Sequence, residues 1–432
     1  MAQRAEPDWV QHVIWWQIYP LGFTGAHPDP HDHDEHRLLR ILGWLDHAIE
    51  LGCSGIALGP IFASETHGYD TVDHFRIDPR LGTDDDFDRL VAEAHGRGLK
   101  IQLDGVFNHV GRSHPLAAAA LRDGPGSDAA RHLRTTGSGD DRRFVPFEGH
   151  DILVTLNHDD DEVRRFIVDV MRHWLDRGAD AWRLDAAYAV PTRFWARVLP
   201  EVRTSHPDVW FEAEVIHGDY AGFVADSSAD TVTQYELWKA IWSAINDRNL
   251  FELAWAMTRH SEMLEAFVPA TFIGNHDVTR IASQITDASH LDHAIVLLAL
   301  LGGTPSVYAG DEYGFTGVKD ERVGGDDAIR PPFPATPGEL EYPNERIYRL
   351  HQRLIGFRRR YPWLHRAVTE QIALANEHAT WAVTADGQRL EFTLNLGDQP
   401  VGIDSAALLD SDDATRDTPG SVAPHGWAIC GR

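Results

Sequence analysis

Short apolar, β-branched stretches alternate with helical ones along most of the chain. The first strand-like stretch covers residues 13–19 and the second 55–58, with a helical pattern over 38–51 between them. Helical periodicity over 87–97 and 162–177 precedes the third and fourth stretches, 100–104 and 181–184. Four more follow at 209–211, 230–234, 271–273 and 306–308. Eight strands separated by helices predict an α/β fold, a parallel (β/α)8 TIM barrel closed by right-handed crossovers. The barrel is assigned to residues 1–108 and 158–365.

Two regions break the alternation. Residues 109–157 are rich in Gly, Ser, Asp and Arg, and they read as a short, loop-like insert domain after the third strand. Residues 314–342 are also non-periodic and follow the eighth strand, so both belong to the C-terminal face of the barrel. From residue 366 onward the pattern changes to short strands at 371–374, 380–383, 390–395 and 427–429. Ala385-Asp386-Gly387 is a hairpin signal between two of them. Residues 366–432 are therefore read as a small antiparallel β-sandwich domain.

Composition narrows the partners. The 432 residues are 43% hydrophobic, ample for a large core, and the net charge of −27 argues against nucleic acid and anionic membranes. A neutral polyol is indifferent to that charge. The two cysteines, Cys53 and Cys430, form no disulfide framework. No apolar leader and no run long enough for a membrane span is present, so a cytoplasmic protein is expected. The tract from His31 to His36 reads as a solvated loop rather than a metal site. Among the tryptophans, Trp15, Trp16, Trp174, Trp182 and Trp210 are expected in the core. Trp238, Trp242 and Trp255, at near-helical spacing, are expected to pack.

The chemistry lies in three acids. Asp185, Glu214 and Asp277 each follow a strand-like stretch, where a buried carboxylate is costly unless it has a task or a partner. Brought to one barrel mouth, they suit cleavage of a glycosidic bond with retention. That reaction takes a nucleophilic carboxylate and a protonated acid about 5 Å apart. A third carboxylate then favours the charged transition state. Arg183, two residues before Asp185, points to the same side of the strand and is expected to keep Asp185 ionised. Glu214 follows Phe211 and Ala213, an apolar setting that suits an acid.

These segments resemble glycoside hydrolase family 13, the α-amylase family, from about Trp15 to the C-terminus. Asp104-Gly105-Val106-Phe107-Asn108-His109, Ala181-Trp182-Arg183-Leu184-Asp185, Glu214-Val215 and Phe272-Ile273-Gly274-Asn275-His276-Asp277 resemble its four main motifs, in order. Segments 55–62 and 303–308 resemble accessory ones. The resemblance implies Asp185 as nucleophile, Glu214 as acid/base and Asp277 as transition-state stabiliser. It further implies that Tyr69 stacks under a sugar ring with Asp70 beside it, and that His109 and His276 donate to sugar hydroxyls. Asp326 and Arg330 would form a pair gripping the non-reducing side.

Two departures shape the substrate expectation. Tyr188-Ala189 stands where starch-type α-amylases carry Lys-His, so the leaving-group side differs and Tyr188 becomes its aromatic surface. The same change, with the short insert, removes expected calcium ligands: Asn108 is one candidate donor, and calcium takes 6–8 oxygens. No cofactor is expected to be required, and calcium is possible without support. The small Ala186 favours α-1,4 over α-1,6 linkages. The expected activity is a retaining α-glycoside hydrolase of the maltodextrin-acting kind, taking a small α-glucan or oligosaccharide. Alternatives with the same triad are a transglycosylase, a glucosyl isomerase or a trehalose- or sucrose-type enzyme. A non-catalytic binding subunit is the remote one. Oligomeric state is left open.

Overall fold

The computed structural model describes residues 6–26, 36–322, 324–341, 343–403, 407–418 and 420–431. Most of the histidine tract, 31–35, lies outside these residues.

Eight strands form one parallel sheet. They are β1 (Trp15–Ile18), β2 (Gly55–Leu58), β3 (Lys100–Val106), β4 (Ala181–Asp185), β5 (Trp210–Ala213), β6 (Thr231–Val232), β7 (Ala270–Phe272) and β8 (Thr304–Tyr308). Their order is β6-β5-β4-β3-β2-β1-β8-β7, and a parallel bridge from Thr233 to Ala270 joins its two ends. The sheet is a TIM barrel.

Side chains alternate between the helix layer and the barrel interior. Trp16, Ile18, Ile56, Leu58, Ile101, Leu103, Trp182 and Leu184 face outward into the main core. The interior is layered. Trp15, Ala57, Ala181 and Trp210 close its floor together with Val10 and Val13, and the Trp15 and Trp210 rings stack at 6.0 Å. Above that floor the interior turns polar. The β3/β4/β5 register places Asp104, Arg183 and Glu212 side by side in one layer, with Asp185 one pleat higher on β4.

Helices follow each strand on the outside. Asp84–Gly96 precedes β3 and starts with a capping box between Thr83 and Asp86, which satisfies two orphan amides of its first turn. Asp161–Asp176 precedes β4. Two helices, Tyr235–Asn246 and Leu250–Leu264, separate β6 from β7. Trp238 and Trp242 lie on the first of them. Trp255, on the second, is 62% exposed and carries Arg259 over its ring, so it is a surface residue rather than the packing residue expected from spacing. A hairpin of Phe62–Ser64 and Thr71–Ile77 between β2 and β3 adds to the eight-strand pattern and carries Tyr69 on its connection.

The segment 109–157 is more ordered than its composition predicts. His109–Gly111, Pro146–Phe147 and His150–Thr155 form a three-stranded antiparallel sheet, and Pro115–Asp123 is a helix. Two of these strands have two or three residues, too short for a period-2 pattern to register.

The C-terminal region carries β9 (Val368–Leu374), β10 (His378–Ala385), β11 (Gln388–Asn395), β12 (Ala407–Ser411) and β13 (Trp427–Gly431) in an antiparallel sheet of order β9-β10-β11-β13-β12. A separate ribbon pairs Val401–Gly402 with Ser421–Val422. Asp386 and Gly387 have φ of 52° and 73°, the two positive values that a tight Asp-Gly hairpin requires. Among the described residues no helix is long and apolar enough to cross a membrane.

Candidate active site

The strand ends of β4, β5 and β7 converge. Asp185, Glu214 and Asp277 line one cavity of about 840 Å³ together with Tyr69, His109 and Tyr188. Asp326 and Arg330 line it as well. Arg183 and His276 stand behind its wall, 6% and 1% exposed.

Arg183 organises the carboxylates. Its Nη1 lies 2.8 and 2.7 Å from the two oxygens of Asp104, and its Nη2 lies 2.7 Å from Glu214 Oε1. Asp185 is its most distant partner, at 3.4 Å. Glu214 also accepts from the Ala186 amide at 2.8 Å and from Tyr235 Oη at 3.3 Å. Ala186 adopts φ 45°, a left-handed conformation rare outside glycine, and that turn aims its amide at Glu214. Asn275 donates to Tyr235 at 3.0 Å, which keeps the tyrosine in place.

This geometry corrects the expected electrostatics. Burial, and then the neighbouring charge of Glu214, pushes Asp185 well above the usual carboxylate range; the stretched contact to Arg183 is too weak to reverse it. Asp277 behaves oppositely. Burial alone would raise it, but His276 at 3.0 Å and Arg330 at 2.8 Å outweigh burial and hold it well below the usual range.

The aromatic wall is cross-braced. Tyr69 Oη bonds His276 Nε2 and donates to Asp104 at 3.1 Å. The His276 ring lies stacked with Tyr69 at 5.7 Å and Tyr19 at 6.0 Å, and its Nδ1 accepts from Gln17 at 3.3 Å. Three expectations change here. His109 donates through Nε2 to the Tyr69 carbonyl at 3.0 Å while its Nδ1 takes the Asn108 amide at 3.1 Å. Both ring nitrogens are occupied, so His109 positions Tyr69 and offers the cavity a ring stacked on Phe147 at 4.6 Å instead of a donor. His276 is likewise committed to protein partners, Tyr69, Asp277 and Gln17. Asp70 is fully buried, does not line the cavity, and accepts from the amide and hydroxyl of Thr66 at 3.1 and 2.6 Å, because it ties the turn that presents Tyr69.

Arg330 reaches both Asp277 and Asp326, the latter at 3.0 Å, and lies over the Tyr19 ring at 4.4 Å. Tyr188 donates to Glu148 of the insert at 2.6 Å, so barrel and insert meet across the cavity. Sequence reasoning passed over Asp104, Tyr235, Gln17 and Glu148 as site residues. Asp104 shows the same acid-after-strand signal as the three that were chosen, and Tyr235 directly follows the sixth stretch. Glu148 carries no such signal.

The calcium question turns on donors. Asn108 Oδ1 is buried without a hydrogen-bond partner, a single free oxygen. Among the described residues no cluster of three His, Cys, Asp or Glu ligands surrounds it.

A barrel with clustered acids at the C-terminal ends of its strands defines a class of enzyme built for acid–base and nucleophilic chemistry. The family model for the α-amylase catalytic domain matches residues 17–131 and 136–378, and the chain belongs to that family of glycoside hydrolases. It is 28% identical over 431 residues to a cyclomaltodextrinase of Geobacillus thermopakistaniensis (strain MAS1), covering 92% of this chain and 71% of the relative. It is 30% identical over 341 residues to a maltogenic α-amylase of Bacillus acidopullulyticus, covering 73% of this chain and 58% of that one. The solved structure of cyclic α-maltosyl-(1→6)-maltose hydrolase from Arthrobacter globiformis superposes with a TM-score of 0.83 at 27% identity. It covers 98% of this chain and 99% of that one.

Proposed function

We propose that the protein is a retaining α-glycoside hydrolase acting on α-1,4-glucosidic bonds of maltooligosaccharides or related α-glucooligosaccharides. The observation that carries this reading is the convergence of Asp185, Glu214 and Asp277 on one cavity, interlinked by Arg183 and Arg330.

Tyr69 offers its ring to the C–H face of a glucose. Asp277, held ionised, takes sugar hydroxyls and favours the positive charge that develops at C1. Glu214 enters the first step protonated and facing the glycosidic oxygen, and Asp185 enters it as the free carboxylate. Asp185 then attacks C1, the C1–O bond breaks, and Glu214 gives its proton to the departing oxygen. A covalent glycosyl-enzyme remains. Water attacks C1 in the second step, Glu214 takes its proton, and Asp185 leaves as a carboxylate. Tyr188 and Glu148 shape the leaving-group side. No step passes through a metal.

The names of the relatives support short or cyclic maltodextrins as the substrate class. The Arthrobacter relative's name, with its (1→6) bond, motivates a second reading in which α-1,6 bonds are cut. A product time course with maltooligosaccharides, cyclodextrins, trehalose, sucrose and a cyclic tetrasaccharide of alternating α-1,4 and α-1,6 bonds separates these readings. NMR of the first-formed anomer tests retention: α-anomers are expected, and β-anomers would reject the mechanism. Two buried free thiols fit a reducing compartment, and we place the protein in the cytoplasm.

A further inference from the structure

Far from the cavity, three ligand-type side chains meet where the C-terminal sheet packs against the barrel. Asp287 and His290 belong to the turn before the helix Leu291–Leu300, and His425 lies between the ribbon strand Ser421–Val422 and β13. One ligand atom from each lies within 4.8 Å of the others. None of the three takes part in the mechanism above.

We infer that Asp287, His290 and His425 form a site for a divalent transition-metal ion of the zinc type that clasps the C-terminal domain to the barrel.

Four observations carry this. His290 Nε2 and His425 Nδ1 stand 3.0 Å apart; two nitrogens about 2.1 Å from one tetrahedral ion lie about 3.4 Å apart, so a small outward turn of the partly exposed His425 ring admits the ion. His425 Nε2 lies 3.1 Å from Asp398 Oδ1, which places a carboxylate beside the ring nitrogen that does not face His290. A carboxylate behind a ligating histidine is the usual device for fixing ring orientation at a metal. His425 also has φ 58°, a conformation costly for a non-glycine residue, and it is held there with its ring turned to His290. Asp287 is braced from the other side: its Oδ1 accepts from the Ser289 amide at 3.0 Å and hydroxyl at 2.6 Å. Its Oδ2 stands 3.9 Å from His290 Nδ1, beyond hydrogen-bond reach.

The donor set selects the ion. Two imidazoles and one carboxylate suit zinc, cobalt or nickel, whereas calcium takes oxygens alone. His293 is engaged with the carbonyls of Asn395 and Gly426 at 3.2 and 3.1 Å and stays outside the set. Arg248 is spent on Glu377 at 3.2 Å and Asp398 at 3.7 Å. Asp287 and His425 keep 52% and 32% of their side chains exposed, which gives the ion a path in and leaves room for water as a fourth ligand.

The test is made on the full chain, stripped with a chelator and dialysed against zinc chloride. One zinc per chain and a higher Tm are expected, with maltooligosaccharide turnover unchanged. His425→Ala and Asp287→Ala change partly exposed residues and should keep the fold. Each is expected to abolish the Tm gain and weaken zinc binding by about 100-fold, and Asp398→Asn to weaken it by about 10-fold. A double variant, His31→Ala with His33→Ala, controls for the N-terminal histidine tract and should bind zinc at this site as the wild type does. The inference is overturned if the stripped protein takes up no zinc. It is equally overturned if His425→Ala and Asp287→Ala bind zinc like the wild type, or if the tract variant loses the ion instead.

Discussion

Arg183 lies 0.7 Å nearer to Glu214 than to Asp185: 2.7 Å against 3.4 Å. The guanidinium therefore serves Glu214 and Asp104 first, and Asp185 last. Arg183→Lys keeps one positive charge but loses the fork that reaches three carboxylates at once. Turnover of a maltooligosaccharide should fall by about 10²- to 10⁴-fold. Stability should also drop, by about 3 kcal/mol, because buried carboxylates lose their partner. Steady-state kinetics and denaturant unfolding check both, and a variant with near-normal kcat would remove Arg183 from the mechanism.

Asp185 is a buried acid whose burial and proximity to Glu214 disfavour its charge, so ionising it costs folding energy. Its folded pKa lies above the unfolded value of about 3.9, and stability is lost as pH rises from that value toward the folded one. Asp185→Asn removes the loss. The variant should be inactive and more stable than wild type at pH 7 by about 1 kcal/mol, with the advantage vanishing near pH 3. Thermal unfolding across pH reads this; an advantage that persists undiminished at pH 3 would contradict the assignment.

Asp277 has the opposite sign. Its folded value is depressed by His276 and Arg330, so its contribution to stability is present above the unfolded value and lost as pH falls through the folded one. Arg330→Gln removes one of the two. The titration of the Asp277 carboxyl, followed by 13C NMR, should move up by about one pH unit. An unmoved Asp277 titration would mean that Arg330 has no electrostatic hold on it.

Glu148 sits at φ 47° on the insert with its carboxylate 2.6 Å from Tyr188 Oη. Glu148→Ala and Tyr188→Phe each cut that link. KM for long maltooligosaccharides and the ratio of transfer to hydrolysis should change several-fold, with kcat on maltotriose nearly constant. Product analysis by chromatography decides; identical product ratios would leave this pair out of the leaving-group side.

The one cluster of three His, Cys, Asp or Glu ligands found among the described residues is Asp287, His290 and His425, outside the mechanism, so EDTA is expected to leave turnover unchanged. Loss of activity on chelation, restored by calcium, would show that other donors complete a site.

Much of the site could be read from the chain because strand ends are local features. Asp185, Glu214 and Asp277 each follow an apolar stretch, and barrel topology then carries them to one mouth. Asp70 and His109 were misread for the converse reason. Whether a side chain faces a ligand or braces its neighbour depends on partners far away in sequence: His109 on the Tyr69 carbonyl, Asp70 on the turn around Thr66. Trp255 has a helical spacing that says packing, but nothing local told which helix faces touch the core.

The sequence by itself determined the barrel, the three acids and the Asp386-Gly387 hairpin, since each rests on periodicity or backbone preference within a few residues. Only the tertiary structure decided which acids a cation serves, because that depends on how Arg183 divides itself among Asp104, Glu214 and Asp185. It alone brought Asp287 and His290 to His425, and Glu148 to Tyr188. Those pairs join segments far apart in sequence, and only packing sets their distance.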